Sequence, residues 1–129
     1  MLCVSAIPIN MNTIKRVVPD IKSKHMDQSR AFYVDFLGLK LGMDLGFVMT
    51  FISASNPIAQ ISVVRDEGTS TPQADISVEV ADVNEIHAQA IRQRLEIVYP
   101  LTDEPWGVRR FFVVDANGTV LNILSHVPS

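Results

Sequence analysis

Two stretches of the chain come into register when offset by 62 residues: MTFISASNPIAQIS (Met49–Ser62) lies on FFVVDANGTVLNIL (Phe111–Leu124). Phe51 meets Val113, Ile52 meets Val114, Ala54 meets Ala116, Ile58 meets Val120 and Ile61 meets Ile123. Hydrophobic alternation alone produces such matches between any two hairpins. The elements around them decide for duplication. Thr13–Val18 alternates as a strand, with Pro19 marking its end or an edge position. Asp27 is placed to cap a helix running to Leu37 and stopped by Gly38, with Ala31, Phe32, Phe36 and Leu39 as its buried stripe. Three strands follow, Lys40–Leu45, Phe47–Ala54 and Ala59–Arg65, divided by Gly46 and by Ser55-Asn56-Pro57. After the polar linker Asp66–Gln73 the order returns: strand Asp75–Val80, a helix capped by Asp82 and carrying Val83, Ile86, Ala90 and Ile91, then strands Ile97–Leu101, Arg109–Val114 and Thr119–Ser125. Both halves read strand, helix, then three strands.

A chain of 129 residues with 47% apolar and 19% charged content can bury one core. Its net charge of −3 gives no electrostatic footprint for nucleic acid, and no apolar run reaches the roughly 20 residues that span a bilayer. The single cysteine, Cys3, excludes an internal disulfide framework and a cysteine-rich zinc site. The expected location is cytoplasmic. Residues 1–12 read as an extension before the domain, either a loose tail or an extra edge strand using Val4, Ala6 and Ile7, and Met11 is an alternative start. His25, His87 and His126 form no spaced ligand motif; His25 reads as solvated, and His87 as exposed or flanking the core. Asp103 and Glu104 are neighbours on an extended chain and so point to opposite sides, which reads as a solvated loop rather than an acid–base pair.

RAFYVDFLGLKLGMD (Arg30–Asp44) resembles the helix-to-strand signature of the vicinal oxygen chelate superfamily, which includes glyoxalase I, extradiol dioxygenases, and fosfomycin- and bleomycin-resistance proteins. ISVEVADVNEIHAQA (Ile76–Ala90) resembles the opening of that family's second module, and EPWGVRRFFVVDANGTVLNIL (Glu104–Leu124) its closing hairpin, with Ala116 in place of the usual proline. The resemblance covers residues 13–126 and implies an α+β fold: one domain of two βαβββ modules, 13–65 and 74–126, whose mixed sheets curl around a cleft. It also implies a homodimer: of the two ways to close the cleft, by two modules of one chain or by modules exchanged between two, the resemblance favours the exchange. Relatives usually carry glycine near Arg94, so here Arg94 or Gln93 must take the left-handed turn at the end of the second helix.

Enzymes of the superfamily hold a divalent metal with four side chains from the first and last strands of the modules. The resemblance places those positions at Val18, Gln60, Asp75 and Asn122. Valine cannot ligate and asparagine is a weak neutral donor, so no metal or other cofactor is expected. What remains is a small-molecule cleft. A three-residue loop at Ala116-Asn117-Gly118 sets Phe112 opposite Asn122 and Arg110 opposite Leu124 on the cleft face, and turns Phe111 and Val113 toward the helices. Trp106 and Phe112 are the expected stacking surface, overhung by the Pro-Trp-Gly loop, and Gln60, Asp75, Ser77 and Asn122 the polar contacts. Arg110 is placed to bind an anionic group or to neutralise Asp75. The expected function is small-molecule binding of the bleomycin-resistance type; the alternative is a metal-dependent lyase or dioxygenase with a degenerate ligand set.

Overall fold

The computed structural model describes residues 12–66 and 72–127. Cys3, Met11, the rest of the proposed extension up to that point and most of the Asp66–Gln73 linker lie outside the described residues. The elements run β1 (Ile14–Ser23), α1 (Met26–Ala31), β2 (Lys40–Asp44), β3 (Val48–Ile52), β4 (Gln60–Arg65), β5 (Ile76–Val80), α2 (Val83–Arg92), β6 (Ile97–Asp103), β7 (Val108–Val114) and β8 (Val120–His126). The fold is α+β, a mixed eight-stranded sheet in the order β2-β3-β4-β1-β5-β8-β7-β6. The sheet curls without closing: the ring of Phe47, beside β3 near one end of the order, lies 5.8 Å from that of Trp106, in the β6–β7 loop at the other. No helix among the described residues is long and apolar enough to cross a membrane.

Pro19 neither ends β1 nor sits at an edge. The strand continues to Ser23 in the middle of the sheet. Ile14 to Pro19 pair antiparallel with β5, and Asp20 to Ser23 pair parallel with β4. Proline therefore stands where the strand changes partners, the place in a central strand where a missing N–H is best tolerated. The change of partner joins the two halves into one sheet and carries the chain beyond Val18 to Asp20.

The first helix also departs from expectation. His25, not Asp27, stands at its N-terminal cap, and its backbone N–H is held by Ser23 Oγ. After Ala31 it widens into a π-helical turn, Phe32–Phe36, in which the Leu37 N–H reaches back to the Phe32 carbonyl. A wider turn breaks the 3.6-residue period on which the stripe rests. Ala31, Phe32 and Phe36 are left exposed, while Leu39 packs as expected on Met49, Phe51 and Val63, joined there by Met26, Tyr33 and Val34. Beneath α2 the second core gathers Val80, Val83, Ala90, Phe111, Val113 and Ile123.

The α2 cap is as expected. Asp82 accepts from the Asn84 and Glu85 N–H groups, and the helix ends with Arg94 at φ 57°. The Arg94 N–H bonds the Ile91 carbonyl and the Leu95 N–H the Ala90 carbonyl, the paired closure that normally recruits glycine. Arg94→Gly should raise stability by about 1 kcal/mol, read as a higher urea midpoint. A lower midpoint would mean that the Arg94 side chain supports the turn.

The β7–β8 hairpin has the expected register. Phe112 faces Asn122 and Arg110 faces Leu124, across a loop closed by the Asp115 N–H on the Thr119 carbonyl, with Gly118 at φ 82°. The matching loop of the first half closes from Ser53 to Ala59, with five residues between rather than three. The 62-residue offset therefore holds for β3 on β7 but becomes 60 for β4 on β8. Gln60, not Ile58, corresponds to Val120, and Ser62 to Asn122.

Candidate functional site

The concave face of the sheet holds a cavity of about 430 Å³ lined by both halves of the chain. Alternation along β1 puts Arg16, Val18 and Asp20 on this face; β4 contributes Ser62, β5 Ser77, β7 Arg110 and Phe112, and β8 Asn122. Phe47, Tyr99 and Trp106 complete an aromatic wall. Trp106, 41% exposed, lies at the mouth.

The polar side chains fall into three groups. On the floor, Ser77 Oγ donates to Asp20 Oδ2 at 2.6 Å and accepts from Asn122 Nδ2 at 3.0 Å. Asn122 is 8% exposed, and its Oδ1 is buried without a hydrogen-bond partner. Burial pushes the Asp20 carboxyl up to about 6, against the opposing pull of the Ser77 hydrogen bond and of Arg110 and Arg16. At one side, Glu79 receives Arg16 Nε at 2.6 Å and lies 2.8 Å from His126 Nδ1. Burial pushes Glu79 up, but the bonds from His126 and Arg16 outweigh it and hold it below the usual carboxylate range. At the other side, Glu104 accepts from Arg110 Nε at 2.7 Å and from the Tyr99 hydroxyl at 2.8 Å. The Arg110 guanidinium lies 5.2 Å from the Tyr99 and Trp106 ring centres and 4.9 Å from that of Phe112. Arg110 is thus neutralised by Glu104 and wrapped by aromatic faces.

A glyoxalase-like domain model matches residues 17–127. The chain belongs to the glyoxalase-like domain family. Among solved structures, this glyoxalase-like chain is similar to a Legionella pneumophila protein described as an NAD-dependent benzaldehyde dehydrogenase, at 19% identity over 85% of this chain and 98% of that one, TM-score 0.67. A glyoxalase/bleomycin resistance protein/dioxygenase superfamily member from Vibrio splendidus 12B01 is 14% identical over 88% and 99%, TM-score 0.66. Methylmalonyl-CoA epimerase from Mycobacterium tuberculosis is 17% identical over 95% and 93%, TM-score 0.66. These likenesses establish the shared fold, which does not by itself carry an activity. No curated protein matches the chain.

Of the expected site residues, the glyoxalase-like cavity gathers Ser77, Trp106, Arg110, Phe112 and Asn122. Gln60 does not line it and accepts from Arg16, which does. Asp75 does not line the cavity; its carboxylate ties strand ends together, accepting from Lys22 Nζ at 3.1 Å and from the Val120 N–H at 2.9 Å. The Val120 bond, more than Lys22, holds Asp75 below the usual carboxylate range. Arg110 consequently pairs with Glu104, not Asp75. Glu104 is not a solvated loop residue: Asp103 turns outward to Arg109, and Glu104 turns inward with its side chain 9% exposed.

With the hairpin correspondence corrected, the four positions of the superfamily's metal fall on Val18, Ser62, Asp75 and Asn122. These residues do not fit a divalent cation. One has no donor atom, two are neutral, and the one carboxylate is committed to Lys22 and a backbone N–H. Among the described residues no group of three or more His, Cys, Asp or Glu side chains is placed to hold a metal. The residues absent from the sequence-based list are Asp20, Arg16, Glu79, Tyr99, Glu104 and Phe47. Extending the β1 alternation past Pro19 would have found Asp20.

Proposed function

We propose that the protein binds a small organic molecule in this cleft, in the manner of bleomycin-resistance-type members, and does so without the divalent metal of the superfamily's enzymes. The cavity carries the reading: about 430 Å³, an aromatic wall on one side and a polar floor on the other. Sites for small organic ligands run from roughly 300 to 1,000 Å³ with this mix of apolar wall and few convergent polar groups. The donor chemistry at Val18, Ser62, Asp75 and Asn122 weighs against the metal-dependent lyase or dioxygenase alternative. The reading includes a homodimer in a cytoplasmic setting. Ile14, Val17, Phe32, Phe36 and Leu37 are all at least half exposed, apolar surface that a second copy could cover. Both halves of one chain line the cleft through the β1–β5 seam, and a symmetric exchange would build the same cleft from two chains.

Native mass spectrometry of protein purified from its own source without a chelating tag tests all three parts. The expected spectrum is a dimer of about twice 14.3 kDa, carrying an organic adduct and no stoichiometric metal. Stoichiometric nickel, zinc, manganese or iron that vanishes in an Asp75→Ala variant would establish the metal-dependent alternative. A monomer that still holds its adduct would remove the dimer.

A further inference from the structure

We infer that the cavity floor holds a cationic nitrogen group, an amidinium, guanidinium or primary ammonium, with Asp20 as its counter-charge. This names the ligand class for the small-molecule reading above and rests on it.

Three observations converge on it. First, the other charged groups of the wall are already matched: Arg16 by Glu79, Arg110 by Glu104, and His126 again by Glu79. Asp20 makes no ion pair among the described residues, and its carboxylate receives one side-chain hydrogen bond, from Ser77. A carboxylate has about four acceptor positions, so Asp20 retains capacity for a donor from the cavity. Second, the direction of the floor chain is fixed. Ser77 has one hydroxyl hydrogen and gives it to Asp20 Oδ2, so only the N–H side of the Asn122 amide can face Ser77 Oγ. The Asn122 oxygen is thereby left without a donor, although the residue is more than nine-tenths buried. Ser77 therefore has no hydrogen left for a ligand, and what the floor offers at Asp20 is acceptor capacity. Third, the aromatic wall is not itself the cation trap, because Arg110 already occupies it. A ligand's apolar part can stack there on rings and guanidinium while its cation reaches the floor. The charges acting on Asp20 are Arg110, Arg16 and Asp75, and the two arginines are held back by their own carboxylates.

Benzamidine, benzamide and benzoate have nearly the same shape and carry positive, zero and negative charge. Calorimetric or NMR titration of the full chain with each, at about pH 7 and millimolar probe, separates charge recognition from simple cleft filling. Benzamidine should bind roughly tenfold or more tightly than benzamide, and Asp20→Asn should remove that preference, since hydrogen bonds to a charged partner carry at least one factor of ten. Equal binding of the three probes, or a benzamidine preference that survives Asp20→Asn, would overturn the cation assignment while leaving the cleft a small-molecule site. Failure of all three to bind protein with a native unfolding midpoint would overturn both.

Discussion

Phe111→Ala is expected to cost about 3–5 kcal/mol, enough to lower the melting temperature on the order of 10 °C or more. Phe111 has no exposed surface and sits where β7 meets α2, with Val80, Val83, Ala90 and Ile123 around it and the His87 ring edge-on at 4.9 Å. Truncation leaves a void sealed on every side, so the lost contacts have no replacement. Its neighbour Phe112 points the other way, into the cleft, where its ring lies 4.8 Å from Tyr99. Phe112 is itself 5% exposed, but its ring borders the cleft, so water can enter the space that truncation leaves and Phe112→Ala should cost less stability. It should still loosen Arg110 and weaken aromatic ligands. Urea unfolding of the two variants side by side checks the split. Equal losses would mean that the two faces of β7 are not divided between core and cleft.

That division was readable from Gly118 alone: its place in the β7–β8 loop fixes the register, and the register fixes which of two adjacent phenylalanines is core. The order of elements was readable for the same reason, since strand alternation, the Asp82 cap and the turn residues all act locally. What could not be read depends on partners distant in sequence. Pro19 breaks a strand by local rules, yet β1 continues because it exchanges β5 for β4 at that residue. The two extra residues in the Ser53–Ala59 turn shift β4 relative to β8, which moved the corresponding position from Gln60 to Ser62. In the sequence Glu104 reads as a solvated loop acid and Asp75 as a polar contact of the cleft. One is buried under Arg110 and Tyr99 and the other ties strand ends, and no pattern near either residue marks the difference.

Asp20→Asn should stabilise the protein above about pH 6, and the sign follows from the direction of its shift. Burial raises the carboxyl from 3.8 to about 6 in the folded chain. The folded state therefore keeps a proton that the unfolded state gives up, and stability falls as pH rises through that window. A rise from 3.8 to about 6 sets a ceiling of about 3 kcal/mol on the penalty at neutral pH. Asparagine keeps the oxygen that accepts from Ser77 and never ionises, so the variant should gain about 1–3 kcal/mol near pH 7 and nothing below about pH 4. Asp75 and Glu79, whose carboxyls are held low, give stability of the opposite slope, but they are common to both proteins and cancel in the difference. Urea midpoints of the two proteins across this range measure it. A variant no more stable than the parent at neutral pH would mean that the Asp20 charge is already compensated within the fold, removing the reason to seek its partner in the ligand. A variant that is more stable and binds benzamidine less would mark Asp20 as a group whose charge costs the fold stability and serves binding, which is how a functional carboxylate differs from a structural one.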